Sequence, residues 1–146
     1  MRLGALSLLV VLLLAACGSG AETEWPGPPK ADAGDGSIPV ASFNQYLGDY
    51  EDYAESPEAL AAAFLRLDEH RGATTSLVTS DGAEGSGDRA TAVATLAGVP
   101  DDSVESVRYD LVVTKEGDGW RLESAVRTQR CREGRGHAAF SPRPCV

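Results

Sequence analysis

Few side chains in this chain have the types and spacing to do chemistry. There are three cysteines, Cys17, Cys131 and Cys145, and two histidines, His70 and His137. A thiolate nucleophile needs a base within reach, and Cys131 with His137 is the pair whose types fit. A zinc site asks for about four ordered ligands, and Cys131, His137 and Cys145 offer three. A bond between Cys131 and Cys145 would remove both chemistries. His70 follows Asp68 and Glu69, a grouping of acid–base or metal-ligating type that also reads as the solvated end of a helix. No Gly-x-Ser-x-Gly elbow, His-Glu-x-x-His run, phosphate loop or dinucleotide fingerprint occurs, and Gly85-Ser86-Gly87 sits in a polar stretch that opens no helix. The expectation is a protein with no catalytic residue, no metal and no cofactor.

Which cysteine chemistry applies depends on the compartment, and the first residues address that. Arg2 precedes an apolar run from Leu3 to Ala16, too short to span a bilayer, which takes about 20 residues. This is the layout of a secretory signal. Its end, Leu14-Ala15-Ala16-Cys17-Gly18, resembles the lipobox of bacterial lipoproteins. That resemblance implies a diacylglyceryl group on Cys17, fatty-acyl chains such as palmitate, and cleavage that leaves Cys17 as the first mature residue. Two acyl chains hold a protein to a membrane far more firmly than one, at about 0.8 kcal/mol per buried CH₂. Export also places the remaining cysteines where disulfides persist. Cys131 and Cys145 are therefore expected to pair across the 13 residues between them, contributing roughly 3 kcal/mol in the chain-entropy model.

Charge narrows the partners. The chain has 146 residues, 13 Lys and Arg, 22 Asp and Glu, a net charge of −9 and 42% hydrophobic residues. So acidic a balance disfavours nucleic acid as a partner. The charge is uneven: six Arg against two Glu follow Trp120, a balance of +4, whereas Cys17 to Gly119 carries −14. Arg121, Arg127, Arg130, Arg132 and Arg135 form a candidate anion patch, with internal pairing to acids as the other reading.

The elements that must position these groups follow from periodicity. Residues 18–41 are rich in Gly, Pro, Ala, Ser and acids with no repeating apolar face, which predicts a flexible tether. Its Asp32-Ala33-Gly34-Asp35-Gly36-Ser37 stretch has the outline of a calcium loop but lacks the closing Glu. Phe43, Tyr46, Leu47, Tyr50 and Tyr53 then trace a helical stripe, with Ser42 and Gln45 spaced as a capping box. Ser56-Pro57-Glu58 opens a second helix carrying Leu60, Ala63, Phe64 and Leu67, stopped at His70-Arg71-Gly72. Four strands follow: 73–80, 89–98, 104–115 and 120–130, the last two joined through Glu116-Gly117-Asp118-Gly119. Val107, Tyr109, Leu111 and Val113 share a face of the third strand; Trp120, Leu122, Ser124 and Val126 share a face of the fourth. Phe140 is expected to tuck against the core.

The expected fold is α+β: two N-terminal helices packed on a four-stranded antiparallel sheet, with a disulfide-closed C-terminal loop. The division is a signal peptide at 1–16, an anchor and tether at 17–41 and one domain at 42–146. Helices on a curved antiparallel sheet with the late Gly-Trp-Arg-Leu-Glu-Ser-Ala strand resemble the nuclear-transport-factor-2-like and cystatin-like folds. The tail Arg-Thr-Gln-Arg-Cys … Gly-Arg-Gly-His … Phe-Ser-Pro … Pro-Cys, with 11 Arg against 2 Lys, is similar to that of small secreted lipoproteins of actinobacteria. These resemblances imply a lipid-anchored protein on the extracytoplasmic face of the cell membrane, or of an outer membrane in a Gram-negative source. Its role would be non-enzymatic binding of an envelope protein or a small ligand. The competing expectation is a small-molecule carrier or enzyme with a pocket between helices and sheet, for which Tyr46, Tyr50, Tyr109 and Trp120 are the candidate lining.

Overall fold

The alternation of Thr and Val with Ala and Leu in the second half of the chain folds into long antiparallel strands. The computed structural model describes residues 24–49, 54–70, 74–81 and 87–146. The signal segment with Cys17, and Tyr50 and Tyr53, lie outside the described residues. Among the described residues the order is β1 (Ser37–Ile38), α1 (Ala41–Leu47), α2 (Pro57–Leu65), a 3₁₀ turn (Leu67–Glu69), β2 (Thr74–Asp81), β3 (Arg89–Ala97), β4 (Val104–Glu116) and β5 (Gly119–Cys131). The sheet is antiparallel in the order β1-β5-β4-β3-β2.

The fold class is α+β as the pattern implies, but the sheet has five strands among the described residues rather than four. The additional strand comes from the stretch expected to be tether. Ser37 and Ile38 pair with Val126 and Ala125 on the outer edge of β5. Upstream, Trp25 is 7% exposed and packs between the helices, with Phe43, Tyr46 and Phe64 ring centroids 5.0, 5.9 and 6.1 Å away. Its indole N–H donates to the Phe64 carbonyl at 2.9 Å. Residues 24–36 are therefore a strap laid on the domain. A single large aromatic and a short pair of edge hydrogen bonds hold it, and neither leaves a periodic trace in sequence.

Ser56 caps α2 as expected: its Oγ accepts from the Ala59 N–H at 3.1 Å, and Pro57 occupies the first turn. The helix stops at Leu65 because Arg66 turns left-handed, φ +50°. The capping box at Ser42 does not form. The cap lies two residues upstream of Ser42: helix α1 begins at Ala41, with Val40 in the capping position and no side-chain cap. It ends before Gly48, with Phe43 and Leu47 fully buried.

The inner face of the sheet carries Ala90, Ala92 and Ala94 of β3, Leu111 and Val113 of β4, and Leu122 and Ala125 of β5. Small residues on the strands let Leu60 and Phe64 of α2 and Phe43 and Leu47 of α1 approach closely and fill the layer. Burying each such side chain contributes roughly 1.5–3 kcal/mol. The face expected for β5 is correct only as far as Leu122. Val112 pairs with Ser124 but Val113 pairs with Leu122, so Glu123 is an extra residue, a β-bulge. The bulge inverts the alternation: Ala125, Arg127 and Gln129 face inward, while Ser124 and Val126 face outward.

The exposed edge of β5 is covered along its length. Asn44 of α1 grips Leu122, donating to its carbonyl at 2.8 Å and accepting from its N–H at 3.1 Å. Arg127 N–H donates to the Gly36 carbonyl, 2.8 Å. Gln129 and Ser141 exchange backbone bonds of 2.9 and 3.0 Å, so the C-terminal segment continues the line of β1. Gly36 is needed there: its φ is +79°, and a Cβ would sit 2.3 Å from the Arg127 carbonyl oxygen. Covering an edge in this way removes a template for unwanted pairing.

Candidate functional site

The cysteine chemistry resolves first. Cys131 and Cys145 form a disulfide with Cα atoms 5.5 Å apart. The sulfurs and a His137 ring nitrogen lie within 4.8 Å of one another, so the three residues considered for a nucleophile or zinc site do come together. The sulfurs are bonded to each other, however, and the imidazole is held by the loop: Nδ1 is 2.8 Å from the Ala139 carbonyl and Nε2 2.9 Å from the Arg143 carbonyl. His137 organises the loop that the bridge closes. His70 is likewise structural, its Nε2 3.1 Å from the Leu65 carbonyl at the end of α2, where a helix leaves carbonyls unbonded.

The five arginines of the candidate anion patch are distributed over both faces of the sheet and the C-terminal loop. Arg130 pairs with Glu105 at 3.0 Å and Arg135 with Asp102 at 3.4 Å. Arg121 reaches the Trp120 carbonyl at 3.3 Å on the outer face. Arg132 is exposed on the loop. Phe140 lies against the outer face rather than the core, under the guanidinium groups of Arg108 and Arg130 at 6.0 and 5.4 Å. The reason is the strand alternation, which puts Arg108 and Arg130 on the side away from the helices. Arg127, turned inward by the Glu123 bulge, lines a cleft.

The candidate aromatic residues are dispersed as well. Trp120 packs partly against the core, and Tyr50 lies outside the described residues. Tyr46 and Tyr109 line different clefts. The first, of about 380 Å³, lies beside α2 and is lined by Trp25, Tyr46 and Ala63 with Glu24, Arg66 and Glu69 at its rim. Arg66 is already engaged there, 2.7 Å from Glu24 and in contact with Glu69.

The second cleft, of about 490 Å³, lies where the strap and the C-terminal segment converge on the sheet. Its floor is the cross-strand pair Tyr109 and Arg127 together with Gln129. One wall is the strap from Pro28 to Ala33, carrying Lys30; the other is Pro142 and Pro144. Gln129 fixes this geometry. It is 7% exposed, accepts from Arg127 at 2.9 Å and donates to the Arg143 carbonyl at 3.1 Å. The acid in the cleft, Asp32, serves the turn beneath β1, its Oδ1 accepting from the N–H groups of Gly34 and Asp35 at 2.7 and 3.4 Å. Asp35 in turn accepts from Ser37 N–H at 2.8 Å. The stretch with the outline of a calcium loop is thus a hydrogen-bonded turn.

The shifted carboxylates are structural. The Ser37 N–H holds Asp35 below its ordinary range, the Thr79 hydroxyl does so for Glu58, and Ser103 for Asp101. On the outer face Asp110, bidentate to Arg108, raises the guanidinium pKa further. Sequence reasoning missed Trp25, Lys30, Arg66 and Gln129. Trp25 did carry a signal, a lone large aromatic in a stretch of small and polar residues. Gln129 carried none. A scan against protein-family models, a search of curated proteins and a search of solved structures each return no match.

Proposed function

We propose that this protein is a membrane-anchored, extracytoplasmic binding module without catalytic activity, held to the cell envelope through acylated Cys17 and allied to small secreted bacterial lipoproteins with a cystatin-like or nuclear-transport-factor-2-like domain. The observation that carries the reading is the closed Cys131–Cys145 bridge, which fits a chain whose first residues have the layout of an export signal ending at Leu14-Ala15-Ala16-Cys17. Support for a binding role comes from side chains already committed elsewhere: both cysteines of the loop are bridged, and both histidines contact backbone carbonyls. Intact-mass measurement of the membrane fraction tests the anchor. The expected result is loss of residues 1–16 and a diacylglyceryl increment on Cys17, with Cys17→Ser releasing the protein from membranes. An unmodified Cys17 overturns the reading.

A second reading, a small-molecule carrier, is favoured by one observation. The interior between helices and sheet is filled by Phe43, Phe64 and Leu111, all fully or almost fully buried, yet the cleft at Tyr109 and Arg127 has the size of a small-molecule site.

A further inference from the structure

We propose that the cleft between the Pro28–Ala33 strap and the Pro142–Pro144 segment binds a small molecule through an oxyanion, a carboxylate or a phosphate, with Arg127 as the principal cation. The proposal deepens the binding-module reading and rests on it. Four observations converge on it.

Arg127 differs from its neighbours. Arg66, Arg89, Arg108, Arg130 and Arg135 each face a carboxylate within 3.4 Å. Arg121, Arg132 and Arg143 do not among the described residues, but Arg132 and Arg143 are exposed and Arg121 lies on the outer face. Arg127 is set apart by lining the inner-face cleft beside Tyr109 without a carboxylate partner. Arg127 is half-buried, and its side chain's hydrogen bond among the described residues is to the neutral Gln129 amide. A guanidinium has five N–H donors in a planar fork that matches a carboxylate or phosphate. A partly desolvated cation without an anionic partner is costly to maintain. In a chain with net charge −9 the acids to neutralise it are plentiful.

The cleft supplies further donors of the same kind. Lys30 has no ion pair among the described residues, and the Tyr109 hydroxyl makes no hydrogen bond there; both residues line the cavity with Arg127. Asp32, the acid in the lining, already accepts from two backbone N–H groups. The lining therefore carries a net positive charge inside an acidic protein.

The enclosure suits a small ligand. Its volume is about 490 Å³, within the range of roughly 300–1,000 Å³ usual for small-molecule sites. The proline walls and the Tyr109 ring give an apolar body somewhere to lie while the charged group meets Arg127. Both walls are pinned, one by the Gly36–Arg127 bond and the other by Gln129 and the disulfide, so the site is built before a ligand arrives.

The first cleft is the internal control. It is similar in size and has aromatic walls, but Arg66 is spent on Glu24 and Glu69, and Asp68 adds a further negative charge.

The test is calorimetric titration of the full exported chain, held in neutral phosphatidylcholine vesicles, with inorganic phosphate and with citrate. One anion per chain is expected. Arg127→Gln, which keeps an amide beside Gln129, should weaken binding by about tenfold or more, Tyr109→Phe and Lys30→Gln by roughly threefold each, and outer-face Arg121→Gln by less than about twofold. Phosphate uptake alone assigns a phosphoryl ligand, and citrate uptake alone a carboxylate ligand; either supports the site. Equal losses in Arg121→Gln and Arg127→Gln indicate diffuse charge and overturn it, as does uptake of neither anion. If Arg127→Gln does not melt cooperatively, the exposed Lys30→Gln variant decides, and full affinity in it overturns the proposal. Acylated, exported protein that binds neither anion removes the cleft and leaves the anchor standing; unacylated protein that binds removes the anchor and leaves the cleft.

Discussion

The inner face of the sheet has two halves on the same strands. One half consists of the rows Ala90–Val113–Leu122 and Ala92–Leu111–Ala125, under the two helices. The other consists of the rows containing Tyr109–Arg127 and Val107–Gln129, under the strap and the C-terminal segment. The cover differs, and with it the outcome. A helix presents an apolar residue every third or fourth position and can fill the space above a sheet with Leu and Phe side chains. A strap of Pro, Lys, Ala and Asp has no such repeat. Ala94, Leu96 and Val107 in these rows are still buried, but beside Tyr109 and Arg127 the strap leaves the layer incompletely filled and a cleft remains. Whether a strand face becomes core or site is decided by the periodicity of what lies across it, not by the strand alone.

The largest expected effect separates these halves directly. Phe64→Ala removes a fully buried ring from the helix-covered half and should lower the unfolding free energy by about 3–5 kcal/mol. Tyr109→Ala, on the same sheet face but beside the cleft, should cost about 1 kcal/mol, because little of the space it leaves is newly empty. Urea denaturation followed by tryptophan fluorescence measures both. Equal losses would mean that the second half is packed as densely as the first.

Trp25→Ala comes next. Its ring is clamped against Phe43, Tyr46 and Phe64, so the same assay should show a loss approaching about 3 kcal/mol. A residue in an unpacked tether would change stability by almost nothing, so an unchanged midpoint would detach the strap from the fold.

Much of the architecture was legible from residue pattern. The α2 cap and the Gly117 turn with Glu116 opposite Gly119 both rest on local rules that hold before tertiary contacts form. The disulfide was legible from compartment logic. The site was only half legible. Tyr109 and Arg127 were named for different reasons, and what joins them is a one-residue bulge at Glu123, which sequence alternation cannot register because it counts every residue as one step. Lys30 and Pro142 reach the same cleft only because Gly36 and Ser141 bond to β5, the first across most of the chain and the second from a loop without a strand pattern, and no local rule encodes either contact.

Breaking the Cys131–Cys145 bridge tests what keeps the strap-covered half closed. With a separation of 14 residues, Cys131→Ser with Cys145→Ser should cost about 3 kcal/mol. Hydrogen exchange should accelerate first at Gln129 and Cys131, whose N–H groups bond to Ser141 and His137, and least in β3 under the helices. Uniform acceleration would show that the two halves unfold as one unit.

Asn44→Ala is a smaller and more local change. It leaves the β5 backbone at Leu122 without its side-chain partner, in a part-buried position, and should cost about 1–2 kcal/mol. The loss should be specific to the amide: Asn44→Asp, which keeps an acceptor but no donor, should recover only part of it. Full stability in Asn44→Ala would mean that the helix-covered half does not depend on this edge closure.

The smallest expected effect is acid sensitivity, and its sign follows from the direction of the shifts. Glu58 is held below its ordinary range chiefly by the Thr79 hydroxyl and Asp35 chiefly by the Ser37 N–H. A lowered native pKa means that the folded chain binds protons less readily than the unfolded one. The stabilisation is therefore complete above the unfolded carboxylate values, about 3.9 for Asp and 4.3 for Glu, and drains away as pH falls through them toward the lower native values. Both groups are exposed, so the limb should be shallow. The two sit on opposite sides of the comparison: Glu58 ties the start of α2 to β2, and Asp35 shapes the strap turn before β1. Glu58→Gln should flatten the acid limb of helix loss seen by circular dichroism and leave exchange at Arg127 on its usual pH course. Asp35→Asn should do the reverse. If either variant alters both readouts equally, the helix-covered and strap-covered halves are one cooperative body at low pH, and the cleft opens only when the core does.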